Sequence, residues 1–165
     1  MLIAAIIAYA VAMTGANLLI AHYGPWVSPL NAFFLIGLDL TLRDWLHVRL
    51  RQRQMLALIL ASGALTYALN PSVQHIVVAS AAAFTLAALV DWRVFSALTG
   101  SWLRRSLGSN AVGAAVDTFV FSALAFVLLA PAPKPLSVVA VIAGWQFLAK
   151  VAGGSAWAWW LSRRA

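Results

Sequence analysis

The sequence contains no cysteine and no glutamate, and its acidic side chains are four aspartates. The absence of cysteine excludes disulfide bonds, a thiol nucleophile and any cysteine-ligated metal site. Any chemistry that needs a side-chain carboxylate must therefore use Asp39, Asp44, Asp91 or Asp117.

Charged residues of either sign are scarce. They make up 9% of the chain, whereas hydrophobic residues make up 64% and the mean hydropathy is +0.92. An ordinary globular protein carries about 25% charged residues, so this chain has too little polar surface to face water. The composition predicts an integral membrane protein in contact with the lipid bilayer, with a single domain over residues 1–165.

The net charge of +7 is compatible, taken alone, with binding to nucleic acid. In a membrane protein, short basic loops against the cytoplasmic leaflet explain the same charge better. We therefore expect no nucleic-acid partner.

Catalytic signatures are also missing. The chain has no GxxxxGKS/T phosphate loop, no GxSxG nucleophile turn and no HExxH zinc motif. Its three histidines are isolated from one another in the sequence. We therefore expect neither an enzyme nor a bound cofactor or metal.

Long apolar runs make up most of the sequence. A transmembrane helix needs about 20 mainly apolar residues, and proline, glycine and arginine clusters divide the chain into runs near that length. The predicted fold is all-α, and the first run is interpreted as a retained span because no basic leader precedes it. Six transmembrane helices are predicted, at residues 2–22, 29–47, 55–69, 72–92, 108–130 and 136–161.

Basic residues indicate the orientation, because arginine and lysine accumulate in cytoplasmic loops. With six spans, Lys134 alone falls in a loop on one side, and the arginines outside the spans fall on the other. We therefore expect both termini to be cytoplasmic in a multi-pass protein of the inner membrane. The arginines on the cytoplasmic side are Arg49, Arg51, Arg53, Arg93, Arg104, Arg105, Arg163 and Arg164.

Polar side chains near the middle of the predicted spans are the first candidates for a functional site. From a rise of about 1.5 Å per helical residue, Asp39, Asp117 and Gln146 each lie about 15 Å inside the membrane, on three different helices. Arg43 and Lys150 lie about one turn closer to the cytoplasm. A charge in the hydrocarbon core costs at least about 3 kcal/mol, so such groups face a cavity or one another.

Two interpretations of this group remain open. Asp39, Asp117 and Gln146 could line a central substrate pocket, with Arg43 and Lys150 as counter-ions. Alternatively, the same charges could form a structural ion-pair network that locks the helices together. The functional interpretation is the stronger, because ionisable residues inside membranes generally serve function.

Further polar or aromatic residues are weaker candidates. Trp145 could stack on a flat ligand or simply pack within its span. Asn110 shares a helical face with Asp117 and could line the inner mouth of a pocket or cap its helix. Asp44 and Asp91 could form ion pairs or take part in proton coupling, and Asp91 could instead serve the end of its helix near water.

Four short motifs, taken in order, resemble those of one membrane-protein family. This is the vitamin uptake transporter family, also described as queuosine precursor transporters. The motifs extend over nearly the whole chain. They are Leu38–Asp44 in the second helix, Val90–Phe95 at the end of the fourth, Ser109–Thr118 in the fifth and Gln146–Val151 in the last.

The resemblance implies six helices and uptake of a 7-deazapurine precursor of queuosine, such as preQ0 or preQ1. The driving force is open between facilitated transport and proton coupling through Asp39 or Asp117. Asp39 or Asp117 could bind the two-donor edge of this small heterocycle while Gln146 pairs with its carbonyl. Two alternatives remain open: a substrate-binding subunit of an energy-coupled importer, which needs a partner ATPase, and a structural membrane subunit without transport. A homodimer is the candidate assembly.

Overall fold

The computed structural model describes residues 2–69 and 74–163, and within those ranges the regular structure is entirely helical. This confirms the predicted all-α class. The expected break at Asn70 and Pro71, the expected helix start at Ser72 and the basic residue Arg164 lie outside the described residues. The helices are α1 (Leu2–Tyr23), α2 (Pro25–His47), α3 (Gln52–Leu69), α4 (Gln74–Ala97), α5 (Trp102–Leu128) and α6 (Leu136–Ser162).

Five of these helices are long and apolar enough to cross a membrane, namely all except α3. Helix α3 has 18 residues, and because it begins with Gln52, Arg53 and Gln54 its apolar part is short. The multi-pass character is therefore supported, while the crossing expected at residues 55–69 is not among the spans that length and composition identify.

Helix α2 begins earlier than expected and is irregular. It starts at Pro25 rather than at residue 29, because Gly24 turns the chain at a φ of 79° and proline suits the first helical position. A π-helical turn at Ala32–Ile36 then widens the helix directly before Gly37–His47. Such turns occur often at functional sites.

Helix α5 also begins earlier than expected, at Trp102 rather than at residue 108. The Ser101 hydroxyl accepts the backbone N–H of Arg104 at 3.3 Å and so caps the helix. Arg104 and Arg105, expected in a loop, lie in the first turns instead, and Arg105 Nε donates to the carbonyl of Phe95 at 3.0 Å.

The apolar core has two clusters. The first surrounds Tyr9, Leu40 and Ile59, towards the end of the bundle where α2 meets α3. The second surrounds Ile20 and Phe126, towards the turn between α1 and α2. Asp117 on α5 and Gln146 on α6 lie between the two clusters, whereas Asp39 lies within the first.

Glycines bring the backbones of α2 and α6 into contact. A methyl group on Gly153 would collide with the carbonyl oxygen of Phe33, and one on Gly37 would lie 2.7 Å from the carbonyl carbon of Gly153. The Thr41 hydroxyl also donates to the carbonyl of Gly154 at 3.0 Å. This contact fixes the second helix against the last, as small residues do at helix interfaces in membranes.

Replacing Gly153 with alanine is therefore expected to destabilise the protein by about 1–3 kcal/mol, the usual cost of overpacking. The matched control is Gly144→Ala on the same helix, where an added methyl group meets nothing within 4 Å. Thermal unfolding of the purified variants compares the two substitutions. Equal Tm values for both variants would contradict the close contact.

Candidate functional site

The structure pairs buried charges of opposite sign. Arg43 Nη2 lies 2.7 Å from Asp39 Oδ2 within α2, and Lys150 Nζ on α6 lies 2.8 Å from Asp117 Oδ2 on α5. None of these side chains is more than 3% exposed. Arg43 and Lys150, expected as counter-ions, therefore each contact one of the two carboxylates predicted near the membrane centre.

Lys150 is also the centre of a wider hydrogen-bond network. Its ammonium group donates to Thr118 Oγ1 at 3.0 Å and to Gln146 Oε1 at 3.3 Å, in addition to its contact with Asp117. An ammonium group has three protons, so this set uses all of its donors. Because the Gln146 oxygen faces the lysine, the amide nitrogen points elsewhere and has no partner among the residues that the structure describes.

A narrow cavity, called here the central cavity, adjoins this network on the side of the turn between α1 and α2. It contains about 290 Å³ of empty space, including its mouth. Asp117, Gln146 and Lys150 form a polar part of its wall, and most of the remaining wall is apolar. The other lining residues are Ala16, Asn17, Ile20, Ser28, Asn31, Ala32, Ile36, Ser80, Phe84 and Phe121.

Buried amides around the central cavity have unused hydrogen-bonding atoms. Asn17 Nδ2, Asn31 Oδ1 and Gln146 Nε2 have no partner among the described residues. Asn31 is held by its own Nδ2, which donates to the carbonyl of Ala16 at 2.8 Å. Buried polar groups in native proteins nearly always have partners, so a polar ligand or water is required here.

Asn17 and Asn31, which the sequence offers only as weak candidates near the outer side of the membrane, also line the central cavity. They lie at similar distances on either side of the turn between α1 and α2, so an antiparallel pairing of these helices places them at one level. Their equal spacing from this turn is the feature of the sequence that points to them as a pair. Ser80, on α4, lines the same cavity.

Asp39 is fully buried, but it is not part of the central cavity wall. It lies between its partner Arg43 and the buried side chain of Tyr9. The three residues expected to line one pocket are therefore separated. Asp117 and Gln146 line the central cavity, whereas Asp39 does not.

Trp145 and Asn110 do not line the central cavity. The Trp145 side chain is 61% exposed on the outside of the bundle, so it cannot stack on a ligand inside it. Phe84 and Phe121 supply the aromatic wall instead. Asn110 is buried, and its Nδ2 donates to Ser106 Oγ at 3.3 Å, away from the cavity.

A second cavity lies towards the opposite end of the bundle, near the loop between α2 and α3. It contains about 410 Å³ of empty space and is lined in part by Arg43, His47 and Asp91. The Arg43 guanidinium lies 5.8 Å from the ring centroid of Phe84, which lines the central cavity. Arg43 and Phe84 therefore form part of the layer that separates the two cavities.

Asp44 and Asp91 belong to another buried cluster, the carboxyl pair. Ser106 and Ser109 on α5 donate hydrogen bonds to Asp44, the latter at 3.3 Å, and Asp91 lies beside Gly113 of the same helix. Of the two roles expected for these residues, ion pairing or proton coupling, the described residues 2–69 and 74–163 contain no ion pair of either carboxyl. The same described ranges hold no cluster of three or more side chains suited to a metal ion.

The Asp117–Lys150 pair distinguishes the structural from the functional interpretation. Lys150→Met should destabilise the protein by about 3–5 kcal/mol, because it leaves Asp117 as an unpaired buried charge. Adding Asp117→Asn should restore most of that stability, which unfolding of the purified variants would measure. Equal stability of the single and double variants would contradict a direct ion pair.

The comparisons with known proteins place the chain in a family. A sequence model of the family described as "Putative vitamin uptake transporter" matches residues 1–161. No curated protein and no solved structure shows significant similarity to the chain.

Proposed function

The chain belongs to the vitamin uptake transporter family, and we propose that it takes up a 7-deazapurine precursor of queuosine, such as preQ0 or preQ1. Family membership supports the class of membrane transporter for a small molecule. The motif resemblance and the chemistry of the central cavity support the choice of substrate.

The observation that carries the proposal is the set of unpaired amides beside a buried carboxylate. A 7-deazaguanine presents two N–H donors on one edge and a carbonyl acceptor next to them. Asp117 Oδ2 is held by Lys150, which leaves Oδ1 for the donor edge. The unpaired Nε2 of Gln146 is a donor for the carbonyl.

The asparagines on α1 and α2 supply the remaining complementarity. The five-membered ring of a 7-deazaguanine has an N–H donor, which suits the unpaired Oδ1 of Asn31. The neighbouring ring nitrogen is an acceptor, which suits the unpaired Nδ2 of Asn17. Each such hydrogen bond contributes about 0.5–1.5 kcal/mol.

The apolar part of the cavity suits a flat ring. Phe84 and Phe121 both line it, and stacking of a nucleobase on an aromatic side chain is worth about 1–3 kcal/mol. The space inside it that is open to a water-sized molecule is about 20 Å³. The wall must therefore move outward to admit a small bicyclic molecule, and further to admit a large vitamin.

The proposed orientation agrees with uptake. We infer from the basic residues that both termini are cytoplasmic, and in that orientation the turn between α1 and α2 faces outside. The central cavity lies on the side of this turn, with Ser28 among its lining residues. In this orientation the cavity receives substrate from outside the cell.

Ligand binding to the purified protein tests the substrate class. A ligand that binds only the folded state stabilises it by about 2.7 kcal/mol at about one hundred times its Kd. We expect preQ0 or preQ1 to raise the Tm; guanine shares the donor edge and the carbonyl, so its smaller or equal shift measures what the group at position 7 contributes. No shift with either deazapurine would contradict the proposal.

Asn17→Leu tests the site itself. It removes an unpaired buried amide, so it should leave the Tm of the free protein unchanged or higher, while weakening deazapurine binding about threefold to tenfold. Trp145→Ala is the control, because this exposed side chain lies outside the cavity and its loss should leave binding unchanged. The reverse pattern in a binding titration would exclude the central cavity.

A further inference from the structure

The buried charges of this protein do not balance. All four acidic residues of the chain are at most 2% exposed. Asp39 and Asp117 have their own cations at 2.7 Å and 2.8 Å. Asp44 and Asp91 have none within ion-pair distance in the described part of the chain, although burial of an uncompensated charge is costly.

The two unmatched carboxyl groups lie against each other. Both lie against the same helix, α5: the Ser106 and Ser109 hydroxyls donate to Asp44, and Asp91 lies beside Gly113, one turn further along. Two ionised carboxylates that lie side by side repel each other, and a hydrogen bond between them needs a proton. Asp91 Oδ1 is buried and accepts no hydrogen bond from the described residues. A proton held by the pair would satisfy this oxygen.

The carboxyl pair has a route to solvent through the second cavity. Asp91 lines that cavity together with Arg43 and His47. The charged and titratable groups that face the pair are Arg43 and His47 from α2, and Arg105 from α5 faces His47. In the proposed orientation this cavity lies on the cytoplasmic side.

We propose that Asp44 and Asp91 together hold one exchangeable proton and form the proton-coupling site of the transporter, an inference that rests on the proposed function. The proton binds a carboxylate oxygen of the pair and leaves it for water in the second cavity. No other bond is made or broken. This assigns coupling to the carboxyl pair and not to Asp39 or Asp117, whose charges are already matched.

Arg43 connects the carboxyl pair to the central cavity. It is bonded to Asp39 through Nη2, while its Nε and Nη1 have no partner among the described residues. When the proton leaves, the pair becomes doubly negative and Arg43 is the cation beside it. Movement of Arg43 towards the pair would release Asp39 and open the layer that separates the two cavities.

Infrared spectroscopy with ¹³C-labelled aspartate tests the shared proton without any substrate. The chain has only four acidic side chains, so the band of a protonated aspartic acid can be assigned by substitution. We expect this band in the wild-type protein at neutral pH, and expect both Asp44→Asn and Asp91→Asn to abolish it. Asp117→Asn, which alters a carboxylate already paired with lysine, should keep it.

Other spectra would overturn the proposal. These are a wild-type spectrum without the band, a band that persists in both variants of the pair, and a band that emerges only after sodium is removed; the last result would assign a sodium ion to the pair. Because these spectra need no ligand, they test the carboxyl pair even where deazapurine binding fails.

Uptake into proteoliposomes tests the coupling. An inward proton gradient should stimulate deazapurine uptake by the wild type, and Asp91→Asn should reduce that stimulation to a ratio of about one while deazapurine still raises its Tm. Equal stimulation of Asp91→Asn and wild type would overturn the coupling role. Failure of the proposed function would instead show as no ligand-induced Tm shift in the wild type.

Discussion

Charge cannot stay unpaired away from water, and this constraint organises the interior of the protein. Each acidic side chain of the chain is buried, so each requires a cation, a proton or a set of donors. Arg43 supplies the cation for Asp39, and Lys150 supplies the cation for Asp117. The Lys150 pair joins α5 to α6, and the glycine contact joins α6 to α2. Pairing of charge and packing of helices therefore depend on one another.

The same pairing divides the interior into two cavities. The central cavity borders the Asp117–Lys150 pair, whereas the second cavity borders Arg43 from the opposite end. Between them lie the Arg43 guanidinium and the ring of Phe84. A transporter with a site near the bilayer centre needs such a separation, because the binding site has to be open to one side of the membrane at a time.

The sequence predicts the helical class and the Asp39–Arg43 pair well, because long apolar runs and an i, i+4 spacing are local signals. The Asp117–Lys150 pair joins two helices, so only the fold reveals it. The sequence leaves the role of Trp145 open because α6 is apolar on nearly all sides, and its pattern does not mark the inward face. Ser101 did signal the start of α5, but the arginines after it suggested a loop.

We propose that a deazapurine binds between the aromatic wall and Asp117, and a structure of the protein with preQ1 bound would test this binding mode. We expect the ring beside Phe84 and Phe121, its donor edge on Asp117, and hydrogen bonds to the amide of Asn17. A ligand bound on the outer surface near Trp145, or one that makes no contact with Asp117, would contradict it.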